Sequence, residues 1–403
     1  MKVEREHLRL SATDLANHLA CRHLTSLDRG AAEGRWKPPD WYRPDVAVLR
    51  ERGLEHERAY LAHLESQGVM VTRLDERAEE QSALERTLTA MYAGAEAIAQ
   101  ATLAGGRWLS RADVLLRVEQ PSPLGAWSYE ALDTKLARET RGGAILQLCL
   151  YSELLEEMQG VRPEGMHIVP HRPGFPLESH RVADYLAYYR LVRGRLESAV
   201  GAKDAVETYP ERVMHCEICR WWPRCDKKRR DDDHLSFVAG ISRLQMRELE
   251  SHDVKTLASL AVVPTPLPWK PARGAKQGYT RVREQARIQA DGREKKRALH
   301  ELLPAIPGQG FALLPEPSSG DMFVDLEADP YVGEGGIEFL FGWAEVTPGG
   351  DAYHRQWALD AAAEKRAFEA LIDVAMERWG RDPGMHVYHF GAYEPGAMKR
   401  LMG

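Results

Sequence analysis

The sequence predicts an α/β protein with more than one domain, and three observations support this class. The hydrophobic period changes along the chain, from the helical spacing of residues 75–104 to the alternating or continuous apolar pattern of residues 108–118. A second strand-like stretch at 165–170 lies between two further helical patterns. The chain has 403 residues, which is more than one hydrophobic core ordinarily supports. Helices and strands in this order are typical of an α/β core.

Each predicted element has a local feature that supports it. Ser11 to Asp14 form a helix cap, and the helical spacing that follows places Cys21 at or near the end of a short helix. The prolines and glycine of 120–125 predict the turn between two neighbouring strands. In chain order, we predict helices at 44–67, 75–104, 142–158 and 182–200, and strands at 108–118, 127–136 and 165–170.

The chain is expected to form three regions, at residues 1–230, 231–320 and 321–403. Residues 227–233 pair a basic run with an acidic run, which indicates a solvated boundary. The middle region contains two short predicted helices at 240–262, followed by prolines and a basic helix, and is interpreted as a linker. The two short helices resemble a helix-hairpin-helix element, which rests on a DNA backbone; a plain helical connector fits them equally well. In the third region we predict strands at 322–327, 337–343 and 385–390 and a helix at 362–379.

Composition excludes several classes of protein. The net charge of −6 argues against a protein that coats nucleic acid non-specifically, so any DNA contact must be a local basic patch. No apolar run approaches the roughly 18 residues that span a bilayer. The N-terminal residues 1–7 lack the apolar core of a signal peptide. We therefore expect a cytoplasmic protein without a membrane contact.

The cysteines favour a metal or cluster site over disulfides. Three of the five lie within ten residues, as Cys216-x2-Cys219-x5-Cys225, and Cys21 lies far upstream. An odd total fits four ligands and one bystander, Cys149, which we expect to be buried. Thiolates suit both iron–sulfur clusters and zinc, so a zinc site that includes His215 or Cys21 is the alternative.

The carboxylates between these cysteines have the spacing of a metal-dependent hydrolase. Asp133 and Lys135 lie two apart on a predicted strand and so share one face, while Asp113 lies near the end of the preceding strand. Hydrolysis of a phosphodiester needs one or two hard divalent cations, and these prefer carboxylate ligands. In this interpretation Asp113 and Asp133 hold the metal with the Thr134 carbonyl, Lys135 orients water or stabilises developing charge, and His56 supplies an imidazole ligand. A surface charge pair at Asp133 and Lys135, and a solvated His56, are the plainer alternatives.

These residues occur in an order that resembles RecB-family nucleases of the PD-(D/E)xK superfamily. The resemblance covers roughly residues 11–228. It depends on four successive motifs: Gly53-x-x-His56, Ser110-Arg-Ala-Asp113, Asp133-Thr-Lys135 and Gln147-Leu-Cys-Leu-Tyr151. It implies a restriction-endonuclease-like core in which the Gln147 and Tyr151 pair, on one helix face, lies beside the catalytic strand and contacts DNA. Ser110 departs from the family, which often has glycine there, and Gln147 and Tyr151 also fit an ordinary helix face.

The cysteine spacing is similar to the iron–sulfur subset of this family, which includes CRISPR-adaptation exonucleases and recombination nucleases of the AddAB type. The resemblance implies a [4Fe-4S] cluster held by Cys21, Cys216, Cys219 and Cys225, with a structural role. Mg²⁺ or Mn²⁺ is the implied catalytic ion, and single-stranded DNA or DNA ends are the implied substrate, in repair, recombination or defence. A non-catalytic DNA-binding scaffold for a helicase partner and a redox-sensing protein are the rival functions.

The C-terminal region resembles the first two motifs of RNase H-like DEDD exonucleases. Asp325 and Glu327 lie on one face of a predicted strand, and Glu394 follows later, so these three form a possible second metal site. The remaining acids are expected beyond residue 403, unless the unit is a partial docking module; a generic α/β domain is the plainer alternative. A RecB-like nuclease followed by such a unit resembles the front half of bacterial nuclease–helicase fusions. The sequence has no Gly-x-x-x-x-Gly-Lys-Ser/Thr loop, so a helicase would be a separate domain or subunit.

Overall fold

The protein has a mixed α/β architecture, as the change of hydrophobic period predicts. The computed structural model describes residues 1–403 except 5–6, 41–42, 76–77, 203–207, 334 and 348. This part of the chain forms twelve α-helices and three sheets, of two, four and six strands. Within the same residues, no helix is both long and apolar enough to cross a membrane.

Strands and helices are interspersed through the first 201 residues, and the other four described strands follow residue 321. The strands are β1 Lys2–Glu4, β2 His7–Arg9, β3 Val71–Arg73, β4 Ala97–Gly105, β5 Trp108–Val118, β6 Ser128–Lys135, β7 Gly165–Pro170, β8 Glu178–Arg181, β9 Met322–Asp329, β10 Ile337–Thr347, β11 Gly350–Trp357 and β12 Val387–Tyr388. The helices are α1 Ala12–Ala20, α2 Arg22–Ala32, α3 Pro44–Ser66, α4 Glu80–Tyr92, α5 Gly142–Gln159, α6 Val182–Gly201, α7 Trp222–Asp231, α8 Arg243–Ser251, α9 Leu257–Ala261, α10 Lys276–Glu294, α11 Ala361–Arg381 and α12 Tyr393–Met402. Short 3₁₀ turns occur at Met214–Glu217, Leu235–Phe237 and Gly310–Leu313.

The six-stranded sheet is the centre of the N-terminal part and lies between two layers of helix. Its order is β3-β4-β5-β6-β7-β8, with β4, β5 and β6 antiparallel and β7 parallel to β6. On one face, Tyr60 and Leu61 of α3 pack against Val114 and Leu132. On the other face, α1, α5 and α6 bury the larger core, and α5 buries side chains on almost all sides. A strand covered on both faces is expected to be apolar throughout, so the acids of β5 and β6 are exceptions with a cost.

The predicted helix at 75–104 is wrong over much of its length. Helix α4 ends at Tyr92, and residues 97–105 form the buried strand β4 between β3 and β5. Alanine favours helices, but propensity is a weak preference, and pairing with two neighbouring strands overrides it here. Residues 76–77 of that predicted helix lie outside the described residues. Strands β1, β2, β3 and β8 were not predicted, because each has only three or four residues.

The N-terminal helix begins and ends where its sequence predicts. The Ser11 side chain accepts from the backbone N–H of Asp14, and the Asp14 side chain accepts from the backbone of Ser11, which is a capping box. Helix α1 ends at Ala20, and Cys21 is both its C-cap and the N-cap residue of α2. Cys21 therefore lies at a corner between two helices.

The segment after α6 returns to this corner through one buried contact. Trp221 is fully buried, and its indole N–H donates to Asp28 Oδ1 of α2 at 2.7 Å. Arg220 donates to the same oxygen at 2.6 Å. The predicted solvated boundary at 227–233 is in part wrong, since it begins inside α7 and includes Arg229, which is 1% exposed and packs against Trp222. Burial of its aliphatic stem and cation–π contact stabilise Arg229 in this position.

The later parts of the chain have hydrophobic clusters of their own. Helices α8, α9 and α10 enclose one cluster, which includes Leu249, Leu260 and Tyr279. The four-stranded sheet, in the order β11-β10-β9-β12 with β12 parallel to β9, packs on α11 and α12. The predicted strand at 385–390 is shorter than expected, because only Val387 and Tyr388 pair with β9.

We expect Asp28→Ala to destabilise the protein by roughly 2–3 kcal/mol, since it leaves the buried indole N–H of Trp221 and the Arg220 guanidinium without their acceptor. Urea unfolding monitored by tryptophan fluorescence measures this loss. Asp231→Ala is the matched control, because Asp231 is exposed and pairs with Lys227 one turn away. An exposed pair of this kind contributes about 0.5 kcal/mol. Equal effects of the two substitutions would contradict the assigned role of Asp28.

Candidate active site

The pairing of β5 with β6 brings Asp113, Asp133 and Lys135 together. Val114 pairs with Leu132 in this antiparallel ladder, which places Asp113 and Asp133 on neighbouring strands at adjoining positions. Asp113 Oδ2 accepts from the Thr134 backbone N–H at 2.8 Å and from its hydroxyl at 2.9 Å. Lys135 Nζ lies 2.7 Å from Asp133 Oδ2. Asp113 is in the middle of β5 rather than near its end, so the whole group is set within the sheet.

Burial makes the charges of this group costly. The Asp133 residue is 1% exposed, and neither of its oxygens has a partner of hydrogen-bond geometry, although Lys135 Nζ is close to one of them. The pKa of Asp133 is raised to about 6: burial is the main cause, Lys135 lowers the pKa in opposition, and the negative charge of Asp113 adds to the rise. Burial also raises the pKa of Asp113. For Lys135, burial lowers the pKa, but the two carboxylates outweigh it, so its pKa is raised and the ammonium stays charged.

The donor chemistry of Asp113 and Asp133 fits a hard divalent cation. Two buried carboxylates face one ammonium, that of Lys135, so when both are ionised they carry an excess negative charge that a bound cation would neutralise. Mg²⁺ is commonly bound by one or two carboxylates, which matches this pair. Among the described residues, no set of three or more His, Cys, Asp and Glu side chains is arranged as a metal-binding group. The protein thus offers two carboxylates and the Thr134 backbone, not a closed cage of side chains.

His56 is buried beside the site, not solvated. It is 6% exposed on α3, and its Nε2 lies 3.1 Å from the carbonyl oxygen of Val169, which pairs with Thr134 across β6 and β7. Its ring packs between His171 and Phe175, at centroid distances of 5.1 and 5.7 Å. Burial lowers the pKa of His56, so the imidazole is neutral at neutral pH. Because Nε2 donates to a carbonyl, Nδ1 is the nitrogen with a free lone pair.

Glu57 is a third carboxylate near the group, and its role was not predicted. Its negative charge raises the pKa of both Asp113 and Lys135, which places it within electrostatic reach of each. Gln100 of β4 donates through Nε2 to Glu57 Oε1. The sequence signal was slight: an acid directly after His56, and one polar residue inside the alanine-rich run of β4.

Gln100 has an unusual backbone for its residue type. Its φ is 59°, a left-handed value that non-glycine residues rarely adopt. The ladder pairs Ala99 with Val114 and Ala101 with Ala112, so Gln100 is skipped and lies opposite Asp113. Strain of about 1–3 kcal/mol is tolerated where the surrounding structure requires the conformation, and it is often found at functional sites. Here the conformation aims the Gln100 amide at Glu57.

The Gln147 and Tyr151 pair occupies one face of α5. Tyr151 is 5% exposed, and burial, followed by the negative charges of Asp133 and Asp113, raises the pKa of its hydroxyl well above the usual value. Gln147 is half-buried one turn earlier. Tyr151 is therefore within electrostatic reach of both aspartates, and it is protonated.

All four predicted cluster cysteines line one small apolar cavity. Cys21, Cys216, Cys219 and Cys225 surround it together with His215, and its volume is about 20 Å³. Burial, followed by the neighbouring cysteines, raises the pKa of Cys219 to about 11 and of Cys225 to about 12. The sulfur atoms do not form a metal-binding group as placed, although these residues are all described. Four cysteine thiols around one cavity are the type of ligand that binds an iron–sulfur cluster or a zinc ion.

Cys149 lies apart from the other cysteines. It is fully buried in the main core on α5, with its sulfur 4.0 Å from that of Met166. This placement agrees with the expected role of an inert buried thiol.

The three acids of the possible second site have different environments. Asp325 and Glu327 are exposed on the same face of β9. Glu394 is 3% exposed in the first turn of α12, and its Oε2 has no hydrogen-bond partner, with His389 Nδ1 at 3.6 Å. The described residues do not form a metal-binding group here.

We expect the metal-free protein to lose stability as the pH rises from about 4 to about 6. The folded state holds the Asp133 proton more tightly than the unfolded chain, so the contribution is complete below the unfolded pKa and is lost through the folded pKa near 6. A shift of this size corresponds to roughly 2–3 kcal/mol. Urea unfolding in EDTA between these pH values measures the loss, and Asp133→Asn should remove it. Identical pH dependence in both proteins would show that Asp133 has an ordinary pKa.

Comparison with known proteins does not add to these contacts. No protein-family model matches the chain, and a search of the curated proteins finds no match. The function is therefore inferred from the side chains themselves and from the motifs they form.

Proposed function

We propose that the protein is a metal-dependent nuclease that hydrolyses phosphodiester bonds in single-stranded DNA or at DNA ends. The observation that carries this proposal is the buried pair Asp113 and Asp133, in which Lys135 Nζ lies 2.7 Å from Asp133 Oδ2 and Asp133 Oδ1 has no partner among the described residues. In the proposed PD-(D/E)xK core of the RecB type, β5 and β6 are the strands that present these residues.

Mg²⁺ or Mn²⁺, held by Asp113 and Asp133, would polarise the scissile phosphate and lower the pKa of the attacking water. The side chains prepare this site before any ion binds. Thr134 donates twice to one oxygen of Asp113, which fixes the carboxylate and leaves the other oxygen for a cation. His56, with Nδ1 available, is the proposed additional ligand.

Lys135 acts in this proposal through its charge. Its raised pKa keeps the ammonium protonated, so it is poorly suited to accept a proton from water. A fixed ammonium beside the phosphate stabilises the negative charge that develops in the transition state. Glu57, oriented by Gln100, is the carboxylate that remains to position the attacking water.

Tyr151 and Gln147 are proposed to contact the DNA. Their face of α5 is next to the strand that carries Asp133, and the protonated Tyr151 hydroxyl is a hydrogen-bond donor near the two aspartates. This role follows the resemblance to the Gln-x-x-x-Tyr motif of RecB-family nucleases.

A [4Fe-4S] cluster held by Cys21, Cys216, Cys219 and Cys225 is proposed to have a structural role, with zinc as the alternative. The shared cavity supports this, because it lies where the α1–α2 corner meets the segment after α6. When bound, the group would add cross-links between two segments that the Asp28 and Trp221 contact already joins.

The C-terminal sheet is proposed to be part of an RNase H-like unit. Its support is the exposed face of β9 with Asp325 and Glu327, together with the buried, unpartnered oxygen of Glu394. By the same resemblance, a helicase domain or subunit is a proposed partner.

We expect Lys135→Ala to lower the rate of DNA cleavage by about 10²–10⁴-fold, because it removes charge stabilisation in the transition state. End-labelled single-stranded DNA with Mn²⁺ and anaerobically purified protein provides the assay. Lys255→Ala is the matched control: Asp253-Val-Lys255 has the same spacing, with an ion pair of 2.6 Å, but it is exposed. Cleavage by the wild type and the control alone supports the proposal. No cleavage by any of the three would favour a DNA-binding scaffold, and equal cleavage by all three would place the activity elsewhere.

We expect anaerobically purified protein to contain iron and sulfide and to show the broad visible absorption of an iron–sulfur cluster. Cys225→Ser should lose this metal, because one of four thiolate ligands is removed, whereas Cys149→Ala should keep it. Metal analysis of the three proteins is the measurement. Zinc in place of iron would show that these cysteines form a zinc site. Equal metal content in wild type and Cys225→Ser would exclude the cavity as the binding site.

A further inference from the structure

A long groove lies between α2 and α6. One face of α2 lines it with residues spaced by three or four, from Arg22 to Arg29, and α6 lines it from Arg190 to Ala199. Its empty volume is about 1420 Å³, including its open mouth. Between its ends on α6 the groove is about 13 Å long, at 1.5 Å per helical residue. It is therefore longer than one phosphate group.

The groove is strongly basic in a chain that is acidic overall. Among the residues that the structure describes, its lining includes four arginines and one histidine and no aspartate or glutamate. One arginine is structural, since Arg29 donates to the carbonyl oxygens of Ala199 and Ala202 at 3.1 and 2.8 Å and pairs with Glu33. This contact holds α2 against the end of α6.

The other three arginines do not make a structural contact of this kind. Arg22, Arg190 and Arg195 are exposed, and within the described part of the chain none of them forms an ion pair or a hydrogen bond through its side chain. Unpaired arginines along one groove attract anions, and the planar guanidinium matches phosphate oxygens.

His18 supplies a buried polar group to the same groove. It lines the groove and is 5% exposed, and its Nδ1 lies 2.9 Å from the Thr25 hydroxyl. Its Nε2 has no hydrogen-bond partner among the residues that the structure describes. Burial lowers the pKa of His18, and the charges of Arg22 and Arg195 lower it further. The two guanidinium groups, from different helices, are thus within electrostatic reach of one ring. An anion bound between them would relieve their repulsion and accept from Nε2–H.

The floor of the groove is made of small residues. Gly194 and Ser198 follow Arg190 at intervals of four residues, so they lie along one face of α6. A Cβ added at Gly194 would meet no atom within 4 Å, so the floor is open there. Small side chains beneath unpaired arginines allow a bulky anionic chain to lie close to the helix.

We propose that this groove binds the phosphodiester backbone of a single nucleic-acid strand, with Arg22, Arg190 and Arg195 contacting successive phosphates and His18 donating from Nε2. The identity of the strand as DNA rests on the proposed function. Helix α1, which carries His18, packs on α5, which carries Tyr151; Ala16 lies against Gly143 at this contact. The groove is therefore connected, through His18 of α1, to the helix that carries Tyr151.

Binding of a fluorescent oligothymidylate of about 20 nucleotides, measured by anisotropy in EDTA over a range of salt concentrations, tests the proposal. For Arg190→Gln/Arg195→Gln we expect binding to weaken by about tenfold or more at low salt. The slope of log K against log salt should become shallower by about 1.4, or 0.7 for each lost phosphate contact. Arg190→Lys/Arg195→Lys should keep most of the slope, because the charge is retained.

Arg281→Gln/Arg366→Gln is the matched control, since both residues are exposed, on α10 and α11, outside the groove. Urea unfolding of all variants verifies that they are folded. A groove variant that binds with the affinity and slope of the control overturns the proposal. If inorganic phosphate raises the melting temperature of the wild type but not of the groove variant, while both bind the oligonucleotide equally, the groove holds a free phosphate and not a strand.

Cleavage with Mn²⁺, measured in parallel, separates this proposal from the nuclease. A wild type that binds through the groove but does not cleave would contradict the nuclease and leave the groove assignment in place. A wild type that cleaves, with groove variants that bind as it does, would contradict the groove alone. Absence of binding by the wild type would overturn the groove proposal.

Discussion

The register of β5 against β6 is the constraint on which the rest of the site depends. Val114 opposite Leu132 sets Asp113 beside Asp133, and the Thr134 N–H and hydroxyl then bind Asp113. Because side chains alternate across a strand, a slip of one residue would move Asp133 and Lys135 to the opposite face. The apolar packing of α3 and α5 on the two faces of the sheet maintains this register.

This arrangement places like charges in a buried setting, which is unfavourable for folding and useful for binding a cation. Asp133 has a raised pKa, and Lys135 offsets only part of the repulsion. The left-handed backbone of Gln100, opposite Asp113, adds strain at the same point. Such costs are tolerated when the surrounding core is large enough to impose the geometry.

The sequence predicted the long elements well and the strands inside alanine-rich or short segments poorly. Helices α3, α5 and α6 are long, with 18 residues or more each, and their bounds agree with the predicted ranges within about two residues. Strand β4 has the composition of a helix, and only its two strand neighbours make it a strand. Asp-x-Lys spacing was equally ambiguous: Asp133 and Lys135 are in the sheet, whereas Asp253 and Lys255 form an exposed pair. The residues are the same, and burial distinguishes them.

The sequence by itself determines which residues are available and their local order: a capped first helix, a cysteine at its end, an Asp-x-Lys strand and a Gln-x-x-x-Tyr helix. These follow from spacing, because helix and strand periods are local properties of the chain. Only the tertiary structure decided that Glu57 and Gln100 join the aspartates, that His56 is buried against Val169, and that arginines of α2 and α6 share one groove. Each of these depends on contacts between residues far apart in the chain, and on the loss of water around them, which no local pattern specifies.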